Sequence, residues 1–160
     1  MPEWKPAIRV QPEPFDAAAE ARRMTEGRKD LGALVSFVGL CRDEGGTLEA
    51  LELEHYPGMA EEAIGAIARE AAERWPVAAI TIVHRYGRIA PGEPIVLVLA
   101  ASAHREAAFE AASFLMDFLK TRAPFWKKEH RRDAEPGDWV AAKASDDAAA
   151  GRWRPARGAK

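Results

Sequence analysis

Between Lys120 and Arg132, six side chains are lysine or arginine: Lys120, Arg122, Lys127, Lys128, Arg131 and Arg132, with Glu129 as the lone acid. Cations gathered this closely can grip a phosphate or carboxylate, or stabilise negative charge developing on a reacting oxygen. They can equally form a solvated basic surface. Two features speak for a site. Pro124, Phe125 and Trp126 interrupt the basic run and should anchor it, and Lys120 stands where a helix ends. A lysine held by packed neighbours takes one defined position and gives up its proton more easily than a free one.

Two other places could meet an anion. Ser102-Ala103-His104-Arg105 opens a helix, where unpaired N–H groups and the helix dipole favour negative charge. Cations there make sense if an anion binds between them and the helix start; a surface arginine paired with Glu106 is the plainer account. Arg42 directly follows an apolar strand and opens a glycine-containing loop, a rooted position that suits binding, or simply a solvated arginine at the sheet's margin. Gly45-Gly46 lacks the spacing of a phosphate-binding loop. His55, His84 and His104 show no metal-ligand spacing, and Cys41 reads as a small buried thiol. The residues alone give a candidate anion pocket from Arg42, His104, Arg105, Lys120 and Lys127, and no reaction.

The elements that must position these groups follow from periodicity. Ala7 to Gln11 is a short extended piece. Asp16 can cap a helix running to about Glu26. Leu31 to Leu40 is almost wholly apolar and predicts a strand covered on both faces. Leu48 to His55 alternates, as a strand with one wet face should. Met59 to Trp75 is amphipathic, with Ala63, Ile64, Ile67, Ala68, Ala71 and Trp75 on its apolar stripe; Pro76 stops it. Val77 to Tyr86 predicts an alternating strand and Ile95 to Ala101 a fully apolar one. Ser102 is placed to cap a second long helix, Ala103 to Lys120, with Phe109, Phe114 and Phe118 thickening its core stripe. Phe125 to His130 predicts a further strand. A short strand around Trp139 and Val140, a marginal helix from Ser145 to Ala150 and a loose end complete the chain, and Trp139 and Trp153 are candidates for a subunit interface. The class is α+β, two principal helices packed on a sheet.

Composition bounds the partners. The 160 residues suit one compact domain, placed at residues 1–147 with a C-terminal tail at 148–160. The formal net charge of −2, from 23 basic and 25 acidic side chains, gives no ground for nucleic-acid binding. A single cysteine fits a reducing compartment, and no apolar run reaches membrane-spanning length, so the chain reads as cytoplasmic with no membrane partner.

Four stretches carry a resemblance: Leu53-Glu54-His55-Tyr56-Pro57-Gly58-Met59, His84-Arg85-Tyr86-Gly87, Ser102-Ala103-His104-Arg105, and Phe118 through Lys128, with both lysines and the aromatic link between them. From about Pro12 to Asp147 the sequence resembles the large subunit of molybdopterin synthase. The resemblance implies an α/β hammerhead fold with additional antiparallel strands. It implies a central homodimer with one small ubiquitin-like sulfur-carrier subunit at each end, making a heterotetramer. The carrier's Gly-Gly C-terminus, as a thiocarboxylate, would deliver sulfur to cyclic pyranopterin monophosphate, and two transfers would make the dithiolene of molybdopterin. No metal or cofactor is implied for that step. Lys120 would lead the catalysis and Lys127 assist. Arg42, His104 and Arg105 would line the substrate pocket, Phe37 and Met116 would shape it, and Lys128 would touch substrate or carrier tail. Lys143, where relatives can have arginine, would reach the neighbouring subunit's pocket. The loop Asp43-Glu44-Gly45-Gly46 is shorter and more acidic than in many relatives. Other readings are a non-catalytic module for a phosphorylated small molecule or carrier tail, a nucleic-acid binder, and a structural dimer without a pocket.

Overall fold

The computed structural model describes residues 5–132, 134–137, 139 and 149–153. The elements run β1 (Ala7–Gln11), α1 (Ala17–Thr25), β2 (Ala33–Leu40), a 3-10 turn (Glu44–Gly46), β3 (Leu48–His55), α2 (Met59–Arg74), β4 (Val77–Arg85), β5 (Gly87–Ile89), β6 (Pro94–Ser102), α3 (Arg105–Thr121) and β7 (Phe125–Arg131). This is the expected α+β class. The expected boundary at 147/148 falls outside the described residues, as does most of the expected helix from Ser145; residues 149–151 are helical.

Local chemistry explains the helix ends. Asp16 accepts the Ala19 N–H at 3.0 Å and starts α1. Glu61 accepts the Gly58 N–H at 2.8 Å at the start of α2, where Gly58 turns the chain at a φ of 83°. Arg122 closes α3 three ways. Its N–H bonds the Phe118 carbonyl at 2.8 Å, its guanidinium covers the Phe118 ring at 3.9 Å, and it donates to Glu70 of α2 at 2.8 Å.

The strands form two sheets, one ordered β1-β4-β6-β2 and one ordered β5-β3-β7. β1 runs parallel to β4, and the other pairs are antiparallel. Helices α2 and α3 cover one face of the larger sheet. Ile64, Ile67, Phe114, Leu115, Phe118 and Leu119 meet Ile80, Ile82, Val96, Val98 and Ala100 there. Fully burying a side chain such as Ile64, Phe114 or Leu115 contributes about 1.5–3 kcal/mol relative to leaving it exposed. Helix α1 covers the opposite face through Phe15, Ala17, Ala21 and Met24, against Val83, Leu97 and Leu99. A third cluster, Cys41, Leu48, Leu53 and Ile89, packs behind the smaller sheet.

Four expectations need correction. β2 is not covered on both faces: it is an edge strand, and Leu34, Phe37 and Leu40 are exposed, Leu40 at 60%. β4, expected to alternate, lies between β1 and β6 and buries Ile80, Thr81, Ile82 and Val83 in succession. Apolar content reports burial only when the neighbours of a strand are known. Ser102 does not cap α3. It ends β6, fully buried, and donates to the Pro76 carbonyl at 2.9 Å, so His104 is the residue before the first turn and supplies no side-chain cap. Phe109 faces out at 62% exposure. Trp153 is half-buried and packs edge-on against Trp75 and Phe114, ring centroids 5.5 Å from each.

Candidate active site

Strand geometry separates the predicted site residues into two groups. β6 starts at Pro94, opposite Leu40 of β2, and ends at Ser102, opposite Ala33. Nine residues of strand put about 26 Å between those ends. Arg42 is rooted at the first end, because Cys41 donates to the Glu93 carbonyl at 2.8 Å. His104 and Arg105 follow β6 at the other end. Helix α3 then runs back along the sheet, about 22 Å from Arg105 to Lys120 at 1.5 Å per residue. One chain therefore carries Arg42 and Lys120 towards one end, and His104 and Arg105 at the opposite end.

At the lysine end the two sheets meet through aromatic rings. His84, last but one in β4, stacks on Phe125 of β7 with centroids 3.8 Å apart and planes 15° from parallel. His55 of β3 lies 6.0 Å from Phe125 and 4.3 Å from Tyr86. β7 pairs antiparallel with β3, matching Phe125 with His55, Lys127 with Leu53 and Lys128 with Glu52. Opposed residues share a face, so Lys127 lies on the face of His55, Phe125 and the buried Leu53, while Lys128 lies on the other. Lys128 there places its ammonium 4.4 Å above the Trp139 ring. Lys120 is exposed and close enough to His84 to act on it electrostatically.

That corner holds its histidine neutral. Burial, the largest effect, and the charges of Lys120 and His55 together push His84 down to about 4, opposed by its bond to the Arg85 carbonyl. Nδ1 and that carbonyl oxygen are 2.9 Å apart, so Nδ1 carries the proton. Arg85 itself is only 4% exposed. It donates to the Pro12 carbonyl at 3.2 Å, the Pro94 carbonyl at 2.9 Å and Glu93 at 3.2 Å, tying β1 and the start of β6 to the end of β4.

The basic run divides by role. Arg122 is used by Glu70 and Phe118, as above. Arg131 donates to Glu129 at 2.9 Å, the Glu44 carbonyl at 3.2 Å and Thr47 at 3.0 Å. Lys120 acts on His84 at the ring-lined corner, and Lys127 shares the strand face of His55 and Phe125. Arg42 pairs with Glu44 and is 79% exposed along its side chain, a contact of small net worth in water. Phe37 lies two residues beyond Val35 on the same face of β2. Val35 and Met116 both pack on the cluster beneath α3, so Phe37 is directed to the α3 side. Lys143 lies outside the described residues. Burial raises the Cys41 thiol's pKa, and its Sγ sits 3.9 Å from the Ile89 carbonyl, a structural thiol. Among the described residues, no cluster of histidine, cysteine or carboxylates is placed to hold a metal ion, and no helix is long and apolar enough to cross a membrane.

Sequence reasoning gave His55 and His84 no role. A signal existed: His84 has the same strand parity as Ile80 and Ile82, which puts a polar ring on the helix-covered face of β4.

The architecture, a four-stranded and a three-stranded sheet with two long helices on one face, is an α+β fold found among solved structures. A protein from Burkholderia ambifaria described as a molybdopterin biosynthesis MoaE protein superposes with a TM-score of 0.80 at 48% identity, over 92% of this chain and 97% of that one. A Staphylococcus aureus molybdopterin synthase structure gives 0.74 at 33% identity, over 82% and 95%. In sequence, a molybdopterin synthase catalytic subunit from Mesorhizobium japonicum is 66% identical over 149 residues, covering 93% of this chain and 94% of its own. The family model for MoaE protein matches residues 10–122. The chain belongs to the MoaE family of molybdopterin synthase catalytic subunits, and it is an enzyme.

Proposed function

We propose that this chain moves sulfur from the thiocarboxylated Gly-Gly C-terminus of a small ubiquitin-like carrier to cyclic pyranopterin monophosphate, in the cytoplasm, as the central dimer of a heterotetramer. The observation that carries this is one corner between the two sheets, where Lys120 acts on the ring of His84 and Lys127 shares a strand face with His55 and Phe125.

The chemistry suits two lysines. The carrier's thiocarboxylate sulfur bonds to a side-chain carbon of the pterin as the C–O bond there breaks and its oxygen leaves protonated, so that a thioester links carrier and substrate. Water then attacks the acyl carbon. The resulting oxyanion is stabilised by the Lys120 ammonium, the carbon–sulfur bond breaks, sulfur stays on the pterin as thiolate, and the carrier departs as a carboxylate. Lys127, about 7 Å along the strand from Phe125, holds the thiocarboxylate's charge. A second carrier repeats the transfer. Lys128, on the other face of β7, would touch the carrier tail rather than the pterin.

Arg42, His104 and Arg105 would bind phosphate or pterin, and the separation of about 26 Å between them calls for a second copy. The exposed apolar side chains Leu34, Phe37 and Leu40 of β2 supply a surface for it. Two β2 strands related by a two-fold axis perpendicular to them run antiparallel, which would bring the Arg42 end of one copy to the His104 end of the other. Each pocket would then take Arg42, Lys120 and Lys127 from one chain, and His104, Arg105 and Lys143 from its partner.

Replacing Lys120 with Ala should lower dithiolene formation by about 100-fold or more, with dimer and carrier assembly intact, as read by mass spectrometry of the product and by sedimentation. Undiminished turnover would remove Lys120 from the mechanism. Carrier binding without product in the wild type would favour the non-catalytic module.

A further inference from the structure

Every sequence-marked polar group assigned to the pocket except His104 is lysine or arginine, which can donate hydrogen bonds and cannot accept them. A pterin carries amide and amino N–H groups as well as carbonyl oxygens. Cations satisfy its acceptors and its phosphate, and its donors need a partner of another kind.

His84 has the features of that partner. Its Nδ1–H is committed to the Arg85 carbonyl at 2.9 Å, which fixes the lone pair on Nε2. Its ring cannot turn freely, because one face lies against Phe125 at 3.8 Å. No described residue bonds Nε2, and His84 is half-buried rather than sealed inside the fold. The charged and titratable groups acting on the ring from neighbouring elements are Lys120 of α3 and His55 of β3. A buried ring beside an ammonium keeps its lone pair available through the neutral range.

Resting on the sulfur-transfer reading above, we infer that His84 is a further substrate-contact residue, whose Nε2 accepts a hydrogen bond from an N–H donor of the pterin held beside Lys120. It would distinguish a pterin from other phosphorylated molecules that the cations alone would admit.

The experiment uses the full chain assembled with its carrier. In nitrogen-15 histidine-labelled wild type, the His84 Nε2 resonance should shift when cyclic pyranopterin monophosphate is added, and stay in place with inorganic phosphate. His84→Phe keeps a ring against Phe125 and removes the acceptor. It should raise KM for the precursor about tenfold, the loss of one hydrogen bond, with carrier affinity unchanged. An unmoved resonance, or a KM within about twofold of wild type, overturns the inference. If His84→Phe does not fold, the wild-type resonance decides alone. Wild-type complex that makes product while His84 stays silent sinks this inference only, whereas wild-type complex that makes no product sinks the sulfur-transfer reading.

Discussion

A single imidazole gives the molecule a measurable acid response. The folded chain holds His84 at about 4, and an ordinary histidine titrates near 6.5. Between those values the unfolded chain binds a proton that the folded chain refuses, so stability falls as pH drops through that window and loses nothing further below it. The full effect is about 3 kcal/mol, taking 1.36 kcal/mol per pH unit. Urea midpoints at pH 7 and pH 4.5 should therefore differ less in His84→Phe than in wild type. Equal acid sensitivity would show that the ring titrates normally. The residue scale is also where the sequence was most legible. The two lysines, Arg42 and the inert Cys41 stand out by type and position. His84 did not, because its importance lies in a stack against Phe125 that joins residues 41 positions apart.

At the scale of elements, the start of α3 is set by contact with the loop before β2. Gly32 donates to the Ser102 carbonyl at 3.0 Å, and a Cβ at Gly32 would stand 2.1 Å from the Ala103 carbonyl oxygen. That oxygen belongs to backbone leading into His104, so the collision cannot be relieved by turning a side chain. Gly32→Ala should cost about 1–3 kcal/mol, seen as a lower denaturation midpoint, and should move His104 and Arg105. An unchanged midpoint would mean that the loop yields freely. The two long helices and the longer strands were readable from periodicity, β5 was not, and Pro76 marked where α2 had to stop. Burial was not. β2 and β4 exchanged their expected environments because strand order, which decides who is covered, leaves no local trace in an apolar run.

For the molecule as a whole, the exposed side chains of β2 argue for association. Leu40→Asp would place a charge on that surface without touching a buried contact of the single chain. Sedimentation should then show loss of dimer with secondary structure retained; an intact dimer would move the interface elsewhere. The composite pocket proposed above was legible only as a set of residue types. Distance between Arg42 and His104 depends on the direction of β6, and the argument for a second copy arises only when that direction is known.

Helix α3 bears Lys120 near its last turn and His104 with Arg105 at its first, so each copy would serve two separate pockets at once. Two crippled proteins could then rescue each other. If Lys120→Ala and His104→Ala chains are unfolded and refolded together, every hybrid pair holds one pocket with both lesions and one with neither. Random pairing makes half the dimers hybrid, so activity should return to about a quarter of the wild-type level, from a mixture whose parents are each silent.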